Sequence, residues 1–370
     1  DLVRSRGLGD VYKRQVAVIA NENRYHPVCD FLNALQWDGT ERIRFCLHRF
    51  LGSDTDDYTY EALKLFLLGA ISRAFKPGCK FEVMLCLVGG QGAGKSSFFR
   101  LLAVNDDWFS DDLKKLDDEN VYRKMQGHWI IEMSEMIATA NAKSIEEIKS
   151  FLSRQKETYK IPYETHPADR KRQCVFGGSS NTLDFLPLDR TGNRRFVPVM
   201  VYPERAEVHI LADEQASREY INQMWAEAME IYRSGNFRLR FSPAMNDYLK
   251  AHQKDFMPED TKAGQILDYL ERYSGSMVCS KQLYKEALGH DYDEPKQWEL
   301  REINDIMNNA VTGWMAFSNP RYFPEPYRRQ KGWERIRNDN EPDNSMDGFQ
   351  EIPTEEMEQL GLPEEWLKQK

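Results

Sequence analysis

The hydrophobic positions of this chain follow two rhythms. Between Tyr58 and Phe75, Leu63, Phe66, Leu67, Ala70 and Ile71 recur at helical spacing, and the run stops at Pro77-Gly78. Upstream, residues 24–51 mix aromatics with helical spacing, and Phe31, Leu32 and Leu35 share a face. These segments predict a small helical region over 16–78. The rhythm then changes: Val83–Val88 (VMLCLV) is a short, continuous apolar run of the kind that forms a strand covered on both faces. Trp129–Met133, Gln173–Gly178 and Arg195–Met200 read the same way, and helical segments separate them. Buried strands alternating with helices predict an α/β core with a mainly parallel sheet over 79–241. A long helix from about Glu214 to Tyr232, ending at Gly235, closes it.

Beyond Ser242 the pattern shortens to helices at Pro243–Gln253, Thr261–Tyr273, Ser280–Leu288 and Lys296–Ala310, then a strand pair near Trp314–Phe317. This predicts a winged-helix-like domain over 242–337. Acidic residues and prolines dominate 338–370, which is expected to be a weakly ordered tail.

Composition narrows the function. The 370 residues are 41% hydrophobic and 12% aromatic, enough for a sizeable core and against wholesale disorder. Fifty Lys+Arg against 59 Asp+Glu give a formal net charge of -9, which excludes a uniformly basic nucleic-acid coat but permits a local basic groove. No apolar run approaches the about 18 residues that a membrane span requires. The opening DLVRSRGLGDVYKRQ has no apolar stretch of a secretory signal, so a soluble, cytoplasmic protein without membrane partners is expected. Six scattered cysteines with no C-x-x-C pair read as buried hydrophobes, and seven scattered histidines show no zinc-ligand spacing.

The strongest chemical signal is GGQGAGKSS. Gly89-x-x-x-x-Gly94-Lys95-Ser96 is the phosphate-loop pattern, with an apolar strand before it and a helix after it. Over Gly89, Gly90, Gln91, Gly92, Ala93, Gly94, Lys95, Ser96 and Ser97, backbone N–H groups can curl around phosphates and Lys95 adds positive charge. The Ser96 hydroxyl can ligate Mg²⁺. HWIIEMSE ends a strand in Glu132 and Glu135; Glu132 stands where a metal-facing acid belongs and Glu135 where a water-orienting base belongs, though spacing allows the roles to be exchanged. Asn181, after CVFGGSS, can hydrogen-bond the attacking water or the γ-phosphate. Arg190, Arg194 and Arg195 precede a strand, where an arginine finger supplied to a neighbouring subunit can arise.

These residues together resemble the virulence-associated protein E family, phage and prophage proteins related to superfamily 3 helicases and to the ATPase halves of phage primase–helicases. The likeness is carried by HPVCDFLNALQWDGTERI, GGQGAGKSSF, HWIIEMSEM, FGGSSNTLDFLPLDRTGNRRFVPV and QMWAEAMEIYRSG, and spans about His26 to Gly235. It implies a P-loop ATPase core of AAA+-like organisation, a ring (a hexamer), ATP with Mg²⁺, and DNA unwinding or translocation in mobile-element replication, with a primase or other phage replication proteins as partners. It matches Lys95 and Ser96 to the phosphate and metal positions, Glu132 and Glu135 to the paired acids, Asn181 to the sensor, and Arg194 and Arg195 to the arginine motif. The two acids are separated by two residues rather than adjacent as in many related helicases, which leaves the base open between them. Residues 1–15 match nothing in the family and read as a foreign or misread leader, and a primase-like region that often precedes the module is absent, implying a truncated reading frame.

Between the acids and the sensor strand, Lys156, Lys160, Arg170, Lys171 and Arg172 interleave with Tyr159, Tyr163 and His166. Cations that track phosphates and rings that stack on bases suit a single or forked DNA strand. The resemblance implies a pore hairpin here with Lys160 or His166 at its tip. A second basic–aromatic stretch holds Arg321, Arg328, Arg329, Lys331 and Arg335 among Tyr322, Phe323, Tyr327 and Trp333. The alternative to a helicase is a winged-helix initiator or regulator in which ATP only switches oligomeric state. A small-molecule kinase is disfavoured because no lid is evident.

Overall fold

The computed structural model describes residues 11–12, 15–16, 18–19, 25–113, 116, 121–134, 142–159, 168–186 and 193–336. Most of the expected leader and all of the expected tail therefore lie outside the described residues. The chain divides into two compact units, Asp1–Glu259 and Asp260–Lys370.

The first unit opens with helices α1 (Pro27–Ala34), α2 (Ile43–Leu51) and α3 (Asp57–Phe75). Asp56 starts α3 by accepting the Thr59 N–H, and Gly52 ends α2 in the left-handed conformation. There follow β1 (Met84–Val88), α4 (Lys95–Leu102), β2 (Phe109–Ser110), α5 (Val121–Lys124), β3 (Ile130–Ser134), α6 (Ala142–Ser153), β4 (Lys156–Tyr159), β5 (Ala168–Lys171), β6 (Val175–Ser180), β7 (Phe196–Met200), α7 (Glu214–Ser234) and α8 (Pro243–His252). The helix Pro243–His252 thus falls in the first unit, whereas the sequence groups it with the helices beyond.

Five strands form one parallel sheet in the order β2-β3-β6-β1-β7. The four long apolar runs of the sequence supply β1, β3, β6 and β7, as the pattern predicts. Each is buried on both faces, and in β1 the pleat sends Leu85 and Leu87 to one core while Met84, Cys86 and Val88 face another. The first core joins α1–α4 and α7; there Trp225 packs on Trp129 with ring centroids 4.5 Å apart. Their indole N–H groups donate to Leu102 O (2.9 Å) and Ala70 O (3.0 Å), so burial leaves neither polar atom stranded. The second core lies under α6, with Phe151 against Phe176. Pro198 is tolerated because β7 is an edge strand, and its carbonyl accepts the Tyr58 hydroxyl at 2.7 Å. β4 and β5 form a separate antiparallel ribbon. β4 is charged at two of its four positions and β5 at three, so neither shows the apolar run that marks the central strands.

Gly177 is where the sheet meets the helix after the glycine-rich turn. A Cβ there would lie 2.4 Å from Cε1 of Phe99, a fully buried ring of α4. Bare backbone at this point lets α4 approach β6 closely.

The second unit contains α9 (Thr261–Arg272), β8 (Met277–Cys279), α10 (Ser280–Gln282) continuing into a wider π turn at Leu283–Ala287, and α11 (Gln297–Asn309). β9 (Trp314–Ala316), β10 (Arg321–Phe323), β11 (Arg328–Gln330) and β12 (Gly332–Arg335) follow. β12 lies between β8 and β9 in an antiparallel sheet, while β10 and β11 make a hairpin. The core gathers Ile266, Leu270, Val278, Leu283, Ile303, Ile306 and Trp333, whose indole donates to Asn308 Oδ1 at 2.9 Å. The expected helix over 280–288 is shorter because its second half widens into the π turn.

Among the described residues no helix is long and apolar enough to cross a membrane, and no group of three or more His, Cys, Asp or Glu could hold a metal. Cys46, Cys86, Cys174 and Cys279 are buried free thiols, and burial pushes the Cys279 thiol up to about 11.

Gly177→Ala is expected to destabilise the first unit by about 1–3 kcal/mol through overpacking against Phe99. Chemical denaturation checks this, and a change within experimental error would contradict the close approach.

Candidate functional site

A parallel sheet brings the carboxyl ends of its strands to one edge, and Lys95, Ser96, Glu132 and Asn181 converge there. The turn 89–94 leaves the end of β1 and enters α4. Gly92 and Gly94 have φ of +80° and +79°, a region that side chains with a Cβ rarely occupy. Gly90, Gln91 and Gly92 are exposed, so the turn opens to solvent. Lys95, only 6% exposed, is the first residue of α4. Its Nζ donates to Gly89 O and Gly90 O at 2.7 Å each and to Asn181 Oδ1 at 2.9 Å. Asn181 follows β6, the neighbour of β1, which is why residues 86 positions apart meet.

Glu132 projects from β3, on the other side of β6. It is completely buried, and its Oε1 accepts the hydroxyls of Ser96 (2.8 Å) and Ser179 (2.6 Å). Its Oε2 has no hydrogen-bond partner among the described residues. A carboxylate removed from water with one oxygen bare costs several kcal/mol unless a cation or donor meets it. Ser179 was not singled out by the sequence; its role follows from register, since Ser179 pairs with Ser134 of β3 and Leu87 of β1. Glu135 lies outside the described residues.

Arg194 and Arg195 lie at the other end of the sheet. Arg195 O accepts the Met84 N–H at 2.7 Å, which places both arginines beside the start of β1. Five residues of strand, about 16 Å, separate that edge from the turn. Arg194 is largely exposed and reaches Glu82 at 3.1 Å; Arg195 donates to Ser153 Oγ at 2.9 Å and lies 3.4 Å from Glu82. Burial pushes the Glu82 carboxyl up, but the Ser153 hydroxyl and the two guanidinium groups together hold it below its ordinary range. Arg190 lies outside the described residues.

The basic segment forms the β4–β5 ribbon, whose connecting residues Lys160, Tyr163 and His166 lie outside the described residues. Lys156 pairs with Asp169, and this hydrogen bond, with one from Thr158, lowers the Asp169 carboxyl's affinity for protons. The Arg170 guanidinium lies 5.2 Å over the Tyr159 ring, and Lys171 is exposed. Arg172 departs from the expectation of a DNA contact. Its side chain is wholly buried, paired with Glu157, and donates to Phe151 O at 2.6 Å, so it holds the ribbon to α6 and offers nothing to a strand of DNA. Alternation explains this: the basic run crosses from exposed to buried faces at successive positions.

The model of the virulence-associated protein E-like domain matches residues 32–258, more than half of the chain. The chain belongs to the virulence-associated protein E-like family. The match covers the turn, the buried acid and the ribbon, and nearly all of the first unit. No curated protein matches the chain. Among solved structures, the apo C-terminal region of NrS-1 (residues 305–718) aligns with 12% identity over 82% of this chain and 78% of that one, TM-score 0.46. An A-form apo structure of the same region aligns with 14% identity over the same shares, TM-score 0.49.

In this virulence-associated protein E-like chain, Ser179→Ala removes one of the two donors that the buried Glu132 has. The expected loss is about 1–3 kcal/mol in denaturant unfolding. An unchanged midpoint would mean that the carboxylate does not depend on that hydroxyl.

Proposed function

We propose that this protein is a Mg²⁺-dependent P-loop ATPase that acts on DNA in phage or prophage replication, translocating or unwinding as a ring. The observation that carries this is the convergence of Lys95, Ser96, Asn181 and Glu132 at one edge of the sheet. The strand order supports it: β1, bearing the turn, lies beside β6, bearing the polar residue, which lies beside β3, bearing the acid. The turn's backbone N–H groups and the amino end of α4 offer partial positive charge to phosphate oxygens. Lys95 would exchange its carbonyl acceptors for those oxygens. A hard divalent cation prefers oxygen donors, so Ser96 and the bare Oε2 of Glu132 would hold Mg²⁺ together with the phosphates. When bound, that ion would neutralise charge on the phosphates. The base that orients water remains Glu132 or Glu135.

Arg194 and Arg195 are too far from their own chain's turn to serve it. In a ring they would reach a neighbour's nucleotide, where an arginine stabilises charge on the transferring phosphoryl group. The exposed Arg194 is better placed to move than the half-buried Arg195. We extend the same proposal to the β4–β5 ribbon as a DNA contact through Lys156, Arg170 and Lys171. The second unit would be a winged-helix-like domain. Its α11 exposes Arg301 and Asp305 together, a neutral face poorly suited to a specific duplex site. That disfavours the initiator alternative.

Purified protein with ATP and Mg²⁺ should release phosphate, faster with single-stranded DNA, and Lys95→Ala should lower the rate at least about 100-fold. Equal rates with and without DNA would remove the DNA-motor part; activity surviving Lys95→Ala would remove the site. Mixing Lys95→Ala protein with the Arg194→Ala/Arg195→Ala double variant should restore part of the activity. No recovery in mixtures that co-assemble would contradict a shared site.

A further inference from the structure

A cavity of about 650 Å³ lies at the amino-terminal edge of the sheet in the first unit. It is not the turn's site: Trp108, Trp129 and Cys174, which line it, each precede their strands, about 16 Å of strand away from Lys95. Its volume falls in the range of about 300–1,000 Å³ common for ligand sites.

The wall nearest the β4–β5 ribbon is a ladder of cations and rings. Tyr122 and Tyr159 stack with centroids 5.6 Å apart and planes 17° from parallel. Arg170 covers Tyr159, and Arg154, which is outside the lining, donates from Nη1 to the Tyr122 hydroxyl at 2.6 Å. These four side chains come from α5, the loop after α6, β4 and β5, and each is fixed by another. Trp108, half-buried and in T-shaped contact with Phe31 and Trp129, and Gln173, an exposed amide, line the cavity too. Glu157 and Asp169 also line it and are paired with Arg172 and Lys156, while Lys171 is exposed at the end of β5.

We propose that this cavity receives one unstacked base of a nucleic-acid strand whose phosphates follow the β4–β5 ribbon. Ordered aromatic rings stack any base, and cations beside them track the adjoining phosphates. A free nucleotide fits less well: the start of α1 (His26–Val28) lines the cavity, but Pro27 has no N–H and the His26 side chain already accepts the Cys29 N–H, so that turn offers little to a polyphosphate. The inference rests on the nucleic-acid part of the function proposed above and adds where the strand is gripped: Tyr122, backed by Tyr159, and Trp108 meet the base, and Lys171 pairs with phosphate.

The test uses the full chain and a fluorescein-labelled oligothymidine without nucleotide triphosphate. Tyr122→Ala should weaken binding about ten-fold or more while Tyr122→Phe stays near wild type. Lys171→Ala should lower the salt slope of binding by about one. Because Tyr122→Ala could loosen the ribbon, its thermal unfolding is compared with that of wild type. As an independent readout, a 5-iodouracil oligonucleotide is photo-cross-linked to unaltered protein, with adducts expected on Trp108, Tyr122 or Tyr159. Adducts confined to other segments, displacement of the oligomer by mononucleotide alone at equal concentration, or unchanged affinity in a folded Tyr122→Ala protein would overturn the inference. The cross-link requires no hydrolysis. A chain that fails to cleave ATP still reports on this cavity, and one that cleaves ATP without these adducts overturns this inference alone.

Discussion

A carboxylate sealed from solvent must be answered by charge or hydrogen bonds, and Glu132 is answered only in part. Two serine hydroxyls meet one oxygen, and no described group meets the other. Around that imbalance the first unit is arranged. Ser96 belongs to the helix that follows the glycine-rich turn, Ser179 to the central strand, and the acid to the strand beyond, so three elements are tied at one atom. Lys95 ties a fourth position, Asn181, to the carbonyls of the same turn. The site is thus a junction of the sheet's carboxyl edge rather than a property of one motif.

Parallel pairing makes the junction possible, and it divides the sheet into two working ends. The carboxyl edge holds the turn and the acid. The amino edge holds the arginines tethered to Glu82 and the aromatic cavity beside the ribbon. Both ends rest on the same cores: Gly177 lets Phe99 and α4 settle onto the sheet, and the Trp129–Trp225 pair joins β3 to α7. A displacement of α4 would be felt at Lys95 and Ser96 first, because they are its opening residues.

Much of the first unit was legible because its strands are buried on both faces and therefore spelled as apolar runs, VMLCLV being the clearest. The turn was legible because positive φ leaves glycine in the text, at Gly92 and Gly94. What stayed hidden depends on three-dimensional register. Ser179 reads as a polar turn residue until β6 is set between β1 and β3. Arg172 reads as one more cation in a basic run until the pleat turns it inward onto Glu157. The ribbon strands KETY and ADRK carry no apolar signature, and β2 is two residues long. Tyr122, on a one-turn helix far along the chain from the basic run, meets it by stacking on Tyr159.

The central claim is that the turn and the buried acid together bind a metal-complexed triphosphate. Equilibrium titration of a fluorescent ATP analogue, with and without Mg²⁺, into wild-type, Lys95→Ala and Glu132→Gln proteins tests it most directly. The account predicts saturable binding to wild type, severe weakening in Lys95→Ala, and loss of the Mg²⁺ dependence in Glu132→Gln. Absence of saturable binding to folded wild-type protein, or equal binding by all three, would contradict it.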